Sequence, residues 1–252
     1  MYNIGLIGTD LQYSFSKKFF EKKFKKENLK NFSYDTYELN NIDELNSLLM
    51  KKKLIGLNIT SPYKESVIKY LDQIDKVSRE TKSVNTIFIN NRTNKIIGYN
   101  TDFFGFKKSI ELFLPKSKLK ALVLGNGGVS KSICYALKEK KIEFIIVSRK
   151  ASGNNVISYE NTEQYLNTHK LIINTTVLGS KKFINYAPKI NYKMLSNQHY
   201  IYDVIYNPEE TLFLRKSKKQ GANVMNGKKM LIKQAELSFE IWKKEIQTIK
   251  NV

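Results

Sequence analysis

Short apolar runs alternate with longer amphipathic segments along the first hundred residues. The runs are rich in β-branched or aromatic residues and predict three strands, YNIGLIG, FSYDTYEL and KLIGLNI. The amphipathic segments predict three helices, Lys17–Asn28, Ile42–Lys51 and Pro62–Leu71. This alternation is typical of a parallel sheet with crossover helices. Two further runs, TIFIN and KIIGYN, are separated only by NRTN and predict a hairpin.

The alternation begins again after FLPKSK. KALVLGNGG predicts a strand that enters a glycine-rich turn, VSKSICYALKEK predicts a helix, and EFIIVSRK predicts the next strand. KLIINTT and HYIYDV predict two more strands, whereas residues 150–165 are polar with little periodicity. Apolar positions at helical spacing predict a long closing helix, Gly227–Lys250. The chain is therefore predicted to be an α/β protein with two sheets in two domains.

The formal charge of +20 raises the question of a nucleic-acid partner. The basic residues are lysines scattered along the whole chain, with only four arginines, Arg79, Arg92, Arg149 and Arg215. Arginine is the favoured residue for recognition of phosphates and bases. A solvated lysine surface with no specific nucleic-acid partner is therefore the expectation.

The sequence disfavours a membrane or secreted protein, and it disfavours a protein held together by disulfides or metal ions. No apolar run approaches the roughly 18 residues that a membrane span needs, and MYNIGLIGTD has no basic segment before its apolar run. We therefore expect no membrane partner and a cytoplasmic location. The single cysteine, Cys134, excludes a disulfide within the chain, and only two histidines accompany it, so no metal site is expected.

The glycine-rich turn is a candidate dinucleotide site. Gly125, Asn126, Gly127 and Gly128 lie between a predicted strand and a predicted helix, where backbone can approach a pyrophosphate at a helix N-terminus. Ser130 occupies the third glycine position of the usual pattern, so a plain structural turn is the alternative.

The end of the next strand bears on the choice of cofactor. An NAD site usually has an acidic residue there, about 20 residues after the glycines. This chain has Ser148, Arg149 and Lys150, and the two cations suit the 2′-phosphate of NADP. The alternative is an ordinary exposed basic pair.

Seven short motifs occur in order along the chain: GTDLQYSFS, NITSPYK, SVNT, GYNTDFFG, NTTVLG, DVIYNPEET and GKKMLIKQA. Together they resemble the motifs of the shikimate dehydrogenase family. The resemblance covers nearly the whole chain and implies an N-terminal α/β substrate domain, a Rossmann-type NADP-binding domain and a C-terminal helix that returns to the substrate domain. The implied boundaries are 1–102, completed by 228–252, and 103–227.

The resemblance also implies individual roles. The catalytic residues would be Lys64 and Asp102. The substrate-binding residues would be Ser14, Ser16, Thr60, Asn85, Tyr206 and Gln234. With the glycine turn, the cofactor-binding residues would be Gly125, Asn126, Gly127, Gly128, Ser148, Arg149, Lys150, Thr175, Gly227 and Met230. Without the resemblance, Lys64 would be one more solvated charge, Asp102 a helix cap, and Ser14 or Ser16 the cap of the first predicted helix.

The implied reaction is the reversible reduction of 3-dehydroshikimate to shikimate with NADPH. A lysine at the carbonyl can donate a proton to the developing alkoxide, and a nearby carboxylate can orient it. The sequence leaves open which of Lys64 and Asp102 transfers the proton. Where the family usually has histidine, proline and proline, this chain has Tyr13, Lys17 and Val177.

Three alternatives remain open at this point: an NAD-using quinate/shikimate dehydrogenase, a non-catalytic remnant of the fold, and a basic nucleic-acid module. A monomer and a homodimer are equally compatible with the sequence.

Overall fold

The computed structural model describes residues 1–12, 14–111, 113–153 and 155–250. Tyr13, and the last two positions of the implied 228–252 segment, lie outside the described residues. The chain divides into two compact units, which we call unit 1 (Met1–Thr101 with Ala235–Val252) and unit 2 (Asp102–Gln234).

The described residues among the first hundred form six strands and three α-helices. The strands are β1 (Tyr2–Gly8), β2 (Phe32–Glu38), β3 (Leu54–Ile59), β4 (Gln73–Ile74), β5 (Thr86–Asn90) and β6 (Lys95–Tyr99). The helices are α1 (Phe15–Lys26), α2 (Glu44–Lys51) and α3 (Lys76–Thr81), with a 3-10 helix at Ser66–Tyr70.

The described residues of unit 2 form six further strands. They are β7 (Ala121–Leu124), β8 (Phe144–Val147), β9 (Val156–Ile157), β10 (Leu171–Asn174), β11 (Tyr200–Asp203) and β12 (Asn223–Met225). The helices are α4 (Asp102–Ile110), α5 (Gly128–Glu139), α6 (Glu163–Leu166), α7 (Leu212–Lys218) and α8 (Lys228–Lys250), of which α8 continues into unit 1. Short 3-10 helices occur at Tyr159–Asn161, Lys181–Phe183 and Tyr192–Met194.

The sheet of unit 1 has the strand order β2-β1-β3-β5-β6-β4. Strands β1, β2 and β3 are mutually parallel, as predicted, and β5 and β6 form the predicted antiparallel hairpin. The sheet as a whole is mixed, because β5 also pairs antiparallel with β3. The prediction of a parallel sheet therefore holds for its first three strands.

The prediction of a helix at Pro62–Leu71 is wrong. Residues 61–65 form turns, and only Ser66–Tyr70 are helical, as a 3-10 helix. The carbonyl of Lys64, which would accept the Ile68 N–H in an α-helix, instead accepts the Val84 N–H at 2.8 Å. Ile68 N bonds Glu65 O at 3.3 Å. A bond to a distant residue has overridden the local periodicity.

The C-terminal helix is buried in the core of unit 1. Phe239, Trp242 and Ile246 of α8 pack with Ile4 of β1 and Phe20 of α1. The Trp242 indole donates from Nε1 to the carbonyl of Ile87 at 2.9 Å. The predicted return of the last helix to the N-terminal domain is therefore confirmed.

The sheet of unit 2 is parallel throughout and has the order β12-β11-β10-β7-β8-β9. Numbered within the unit, this is the 3-2-1-4-5-6 order of a Rossmann-type dinucleotide fold. The two central strands, β7 and β10, are buried on both faces, as fully covered parallel strands are. The polar stretch 150–165, for which no element was predicted, contains β9, a 3-10 helix and α6. These elements are too short to produce a readable period.

Within the described residues, no helix combines the length and apolar character that crossing a membrane requires.

Candidate active site

Five of the predicted site residues gather at one edge of the unit 1 sheet. Because β1, β3 and β6 run in one direction and β5 in the other, the ends of the first three meet the start of β5 there. The segments at this edge carry Ser14, Ser16, Thr60, Lys64 and Asn85. Open α/β sheets bind ligands at such carboxyl ends of strands.

Ser14 and Ser16 lie at the start of α1. Ser14 is the N-cap residue, and its hydroxyl oxygen accepts the backbone N–H of Ser16 at 3.2 Å. The side chain of Ser16 hydrogen-bonds the hydroxyl of Tyr34. Burial raises the pKa of that tyrosine strongly, and the bond from Ser16 opposes the rise in part. The two serines therefore have distinct local partners at one helix N-terminus.

Thr60 and Lys64 lie on the turn that follows β3. Thr60 N donates to Ile7 O at 3.0 Å, which joins this turn to β1. A Cβ at Gly8 would stand 2.4 Å from Thr60 Cγ2, so only glycine leaves room for the threonine there. The 2.8 Å bond from Val84 N to Lys64 O places the lysine backbone beside Asn85.

Asn85 is buried, and Thr101 fixes its carboxamide. Thr101 N donates to Asn85 Oδ1 at 2.7 Å, and Asn85 Nδ2 donates to Thr101 Oγ1 at 2.9 Å. These two bonds determine which way the amide of Asn85 points. The role of Thr101 was not predicted, although it stands in the motif GYNTDFFG.

Behind Asn85 lies a set of buried neutral side chains, which we call the hydroxyl–amide cluster. Its members are Tyr34, Asn58, Asn85, Thr86, Thr101 and Ser238. Tyr34 donates to Asn58 Oδ1 at 2.9 Å, and Asn58 Nδ2 lies 3.0 Å from Ser238 Oγ and 3.1 Å from Thr86 Oγ1. The cluster thus joins the strands β2, β3 and β5 to helix α8.

In unit 2, Gly125 and Thr175 meet at the point where the strand order reverses. Gly125 follows β7 and Thr175 follows β10, which are neighbours in the sheet. Thr175 donates to Leu124 O from both its N and its Oγ1, at 2.8 Å each. Gly125 has φ +114°, and a Cβ there would stand 2.6 Å from Thr175 Oγ1. Rossmann-type folds bind dinucleotides at this reversal of strand order.

The start of α5 fits a dinucleotide phosphate. Its N-cap is Gly127, so no side chain caps the first N–H groups, and a Cβ at Gly127 would meet no atom within 4 Å. Asn126 and Gly127 are exposed. Ser130, at the third glycine position, is buried and donates to Gly125 O at 2.8 Å, which holds the turn closed.

Ser148, Arg149 and Lys150 follow β8, next to the glycine turn in the sheet. Arg149 and Lys150 are exposed, and Lys150 N donates to Ser148 Oγ at 3.4 Å. Burial raises the pKa of Tyr159, and the nearby positive charge of Arg149 opposes that rise. The two cations are therefore accessible at the position where a ribose phosphate would lie.

The remaining predicted residues also belong to unit 2. Asp102 is the buried first residue of α4, where its negative charge suits the helix dipole. Tyr206 follows β11 and is half-buried. Gln234 is nearly buried on α8 and donates from Nε2 to Leu231 O at 3.0 Å.

Gly227 and Met230 lie at the start of α8. A Cβ at Gly227 would stand 2.0 Å from Val204 O, so two backbone segments touch there and only glycine fits. Met230 is buried, and its carbonyl would be 2.7 Å from a Cβ at Gly105 of α4. These glycines allow α8 to begin close to the end of β11 and to α4.

A buried carboxylate that was not predicted as a site residue lies between two of these loops. Asp203, at the end of β11, accepts bonds from Asn174 Nδ2 at 3.0 Å, Ile205 N at 3.0 Å and Thr211 Oγ1 at 2.6 Å. We call Asp203, Asn174, Thr211 and the Ile205 N–H the Asp203 cluster. Burial raises the pKa of Asp203 to about 6, and the three hydrogen bonds oppose that rise.

Across the part of the chain that the structure describes, no three histidine, cysteine, aspartate or glutamate side chains are grouped as metal ligands.

Comparisons with known proteins agree on one family. Residues 6–87 match the family model of the shikimate dehydrogenase substrate binding domain. The shikimate dehydrogenase (NADP(+)) of Pelagibacter ubique is 38% identical over 97% of this chain and 94% of its own.

Solved structures show the same fold. Shikimate dehydrogenase of Aquifex aeolicus superposes with a TM-score of 0.86 at 31% identity, over 96% of this chain and 92% of its own. Quinate dehydrogenase of Corynebacterium glutamicum, in complex with NAD, has a TM-score of 0.83 at 25% identity, over 96% and 93% of the two chains. The full-length matches, together with the two sheets and their loops, show that this chain belongs to the shikimate dehydrogenase family.

Proposed function

We infer that this chain is an NADP-dependent shikimate dehydrogenase, an oxidoreductase that reversibly reduces 3-dehydroshikimate to shikimate in aromatic amino-acid biosynthesis. Its full-length relative from P. ubique has that name. The observation that carries the inference is that Thr60, Lys64 and Asn85 lie at the edge of the unit 1 sheet where ligands are expected to bind. Backbone hydrogen bonds made by these residues or by their immediate neighbours connect the segments that carry them. Fold alone would not separate shikimate from quinate, because a quinate dehydrogenase has a similar fold.

In this proposal the substrate carboxylate binds at the start of α1. The oxygen of Ser14 accepts the Ser16 N–H, so its O–H proton can be donated to an anion. The positive end of the α1 dipole favours a carboxylate at the same place. The ring hydroxyls bind polar side chains: Thr60, Asn85, Tyr206 and Gln234. Asn85 suits this role because Thr101 fixes the direction of its amide.

The proposed chemistry uses Lys64 and Asp102. NADPH supplies the hydride when it is bound. The ammonium of Lys64 stabilises the oxygen that becomes an alkoxide and donates the proton that completes the alcohol. The carboxylate of Asp102 binds a substrate hydroxyl. In the reverse direction the same groups accept the proton.

The proposed cofactor site lies along the carboxyl edge of the unit 2 sheet. The N–H groups at the start of α5 bind the pyrophosphate, with close approach at Gly125, Gly127 and Gly128. Arg149 and Lys150, with Ser148, bind the 2′-phosphate, which selects NADP over NAD. Thr175, Gly227 and Met230 line the path toward the nicotinamide.

The remaining assignments follow from this function. We assign residues 1–102, completed by 228–252, to substrate binding and residues 103–227 to NADP binding. The small-molecule substrate is the proposed partner, with no specific nucleic acid and no membrane. A cytoplasmic enzyme that is a monomer or a homodimer is the corresponding prediction.

The first experiment measures NADPH formation by ultraviolet absorbance with shikimate and NADP⁺. Lys64→Met is expected to lower kcat by about 100- to 1,000-fold, because it removes the proton donor and keeps the side-chain length. Lys52→Met is the matched control, since Lys52 is an exposed lysine of the same unit. Equal activity of the two variants would remove Lys64 from the mechanism. No turnover by folded wild-type protein would favour the non-catalytic remnant.

A second experiment decides between NADP and NAD. Arg149→Ala combined with Lys150→Ala is expected to raise the KM for NADP⁺ by roughly 10- to 100-fold, the loss of one or two bonds to a charged group. The KM for NAD⁺ should change little, because NAD⁺ has no 2′-phosphate. Wild-type preference for NAD⁺, or faster turnover of quinate than of shikimate, would instead support the quinate/shikimate alternative.

A further inference from the structure

Two loops of unit 2 that carry proposed ligand contacts are attached to one buried side chain. The loop after β10 carries Thr175, and the loop after β11 carries Tyr206. Asp203, which is fully buried at the end of β11, accepts one hydrogen bond from the β10 side and one from the β11 side. Burying a carboxylate costs free energy unless hydrogen bonds replace its lost hydration, so the partners of Asp203 indicate what it holds in place.

On the β10 side, the bonds continue from Asp203 through Asn174. Asn174 Nδ2 donates to Asp203 Oδ1 at 3.0 Å and lies 3.2 Å from Leu178 O. Asn174 Oδ1 accepts from Thr176 N at 3.0 Å and from Thr176 Oγ1 at 2.7 Å. Since Thr175 lies between Asn174 and Thr176, its backbone is held on both sides.

On the β11 side, the bonds continue through Ile205 and Thr211. Ile205 N donates to Asp203 Oδ1 at 3.0 Å, directly before Tyr206. Thr211 Oγ1 donates to Oδ2 at 2.6 Å and accepts from Leu214 N, which caps α7. A Cβ at Gly179 would stand 3.0 Å from Thr211 Cβ, so the end of the β10 loop also packs on this threonine. Thr211 therefore contacts both loops.

We propose that Asp203 is a positioning residue for the dehydrogenase reaction, which holds the Thr175 loop and the Tyr206 loop in one arrangement. Cofactor contacts and substrate contacts in unit 2 are then set together by one carboxylate. The inference rests on the proposed function through the roles of Thr175 and Tyr206. It assigns no contact between Asp203 and either ligand.

A carboxylate suits this position better than an amide. Both oxygens of Asp203 accept, and they receive two N–H donors and one O–H donor. An asparagine of the same shape would direct an NH₂ group at one of these donors. If that donor is the Thr211 hydroxyl, its oxygen would have to accept from residue 203 as well as from Leu214 N, and the charge-assisted O–H···O⁻ bond would be replaced by a weaker neutral one.

The experiment compares Asp203→Asn and Thr211→Val with wild-type protein. The Kd for NADPH is measured from the fluorescence of the nicotinamide, without turnover, and KM and kcat for shikimate are measured separately. Each variant is expected to raise both the Kd for NADPH and the KM for shikimate by about tenfold, with a smaller change in kcat.

Two further variants separate positioning from a loss of stability. Thr211→Ser keeps the hydroxyl and should retain both constants within about twofold. Ser217→Ala removes a buried hydroxyl of the same unit, which donates to Phe213 O at 2.8 Å within α7, and should also leave both constants unchanged.

The proposal is overturned if Asp203→Asn and Thr211→Val behave as Ser217→Ala does, or if only one of the two constants changes. Should Asp203→Asn fail to fold, the Thr211 pair decides by itself. Wild-type protein that binds NADPH but does not oxidise shikimate would contradict the proposed function, while the Kd values for NADPH would still decide the role of Asp203 in holding the cofactor loop.

Discussion

The two units differ in the chemistry of the polar groups that are buried near their sheet edges. Each has buried polar side chains beneath the loops of its sheet edge. In unit 1 the hydroxyl–amide cluster contains only neutral groups, and Asn58 stands at its centre with bonds to Tyr34, Thr86 and Ser238. In unit 2 the corresponding group is a carboxylate, Asp203, with three donors around it.

The difference determines how each unit responds to pH. A neutral cluster keeps the same hydrogen bonds over the whole range in which the protein is folded. A buried carboxylate is more costly ionised than protonated, and for Asp203 burial raises the pKa from 3.8 to about 6. The groups that influence it electrostatically include the phenols of Tyr192 and Tyr202, which are neutral in this range. Unit 2 therefore contains a pH-dependent component that the polar cluster of unit 1 lacks.

The largest expected effect tests the neutral cluster. Asn58→Leu keeps the approximate size of the side chain but removes the acceptor for Tyr34 and the donor to Ser238 and Thr86. The free energy of unfolding should fall by about 3 kcal/mol, because several buried groups lose a partner. Urea denaturation followed by far-UV circular dichroism measures it. Asn46→Leu, at an exposed position of α2, is the control and should change the free energy of unfolding by at most about 0.5 kcal/mol.

The comparison itself is tested by pH. Because the pKa of Asp203 is raised on folding, the stability that its protonated form contributes is complete below about 3.8 and is lost as the pH rises through about 6. Asp203→Asn does not titrate. From about pH 5 to about pH 7.5, wild-type protein should lose about 1.5 kcal/mol relative to that variant.

The Asn58→Leu loss, measured at the same two values of pH, should be constant. A pH-dependent loss for Asn58→Leu, or a constant difference for Asp203→Asn, would contradict the contrast between the two clusters.

The smallest effect concerns function within unit 1. Thr101→Val removes the oxygen that accepts from Asn85 Nδ2 and keeps the backbone N–H that donates to Asn85 Oδ1. The same oxygen also lies 3.1 Å from Asn85 Oδ1, 3.2 Å from Ser238 Oγ and 3.4 Å from Thr86 Oγ1. Because the backbone N–H still holds Asn85 Oδ1, the weaker orientation of the amide should cost substrate binding only about 1 kcal/mol and raise the KM for shikimate by about fivefold. The Kd for NADPH should not change, in contrast to Asp203→Asn. A change in that Kd would show that the neutral cluster acts beyond its own unit.

Much of the fold could be predicted because the hydrophobic pattern is local. The strands β1, β3 and β7 are apolar runs, the hairpin is marked by its turn, and α8 shows a helical period over its length. The segment after β3 could not be predicted in this way. Its periodicity favours a helix, but the bond from Val84 to Lys64 is decided by residues 20 positions away.

The candidate site shows the same limit. The motifs imply roles for Lys64, Asp102 and the glycine turn, whereas Asn58, Thr101 and Asp203 stand in motifs that imply no role for them. Asn58 bonds Ser238 across 180 residues of sequence, and Asp203, the first residue of the motif DVIYNPEET, shows no sign in the sequence of the partners that it meets. A polar residue in an apolar run does not indicate which distant partner it will meet, so these roles become visible only in three dimensions.

Trp242 is the only tryptophan of the chain, and its indole is fully buried in the core of unit 1 with its N–H on Ile87. Its emission is therefore an intrinsic optical probe of one unit, whereas circular dichroism records the helices and strands of both. Following the two signals in a single urea titration would show whether the units unfold in one transition or in two. No label or added fluorophore is needed, because excitation beyond the tyrosine absorption band is selective for tryptophan, and the single tryptophan of the sequence lies in unit 1.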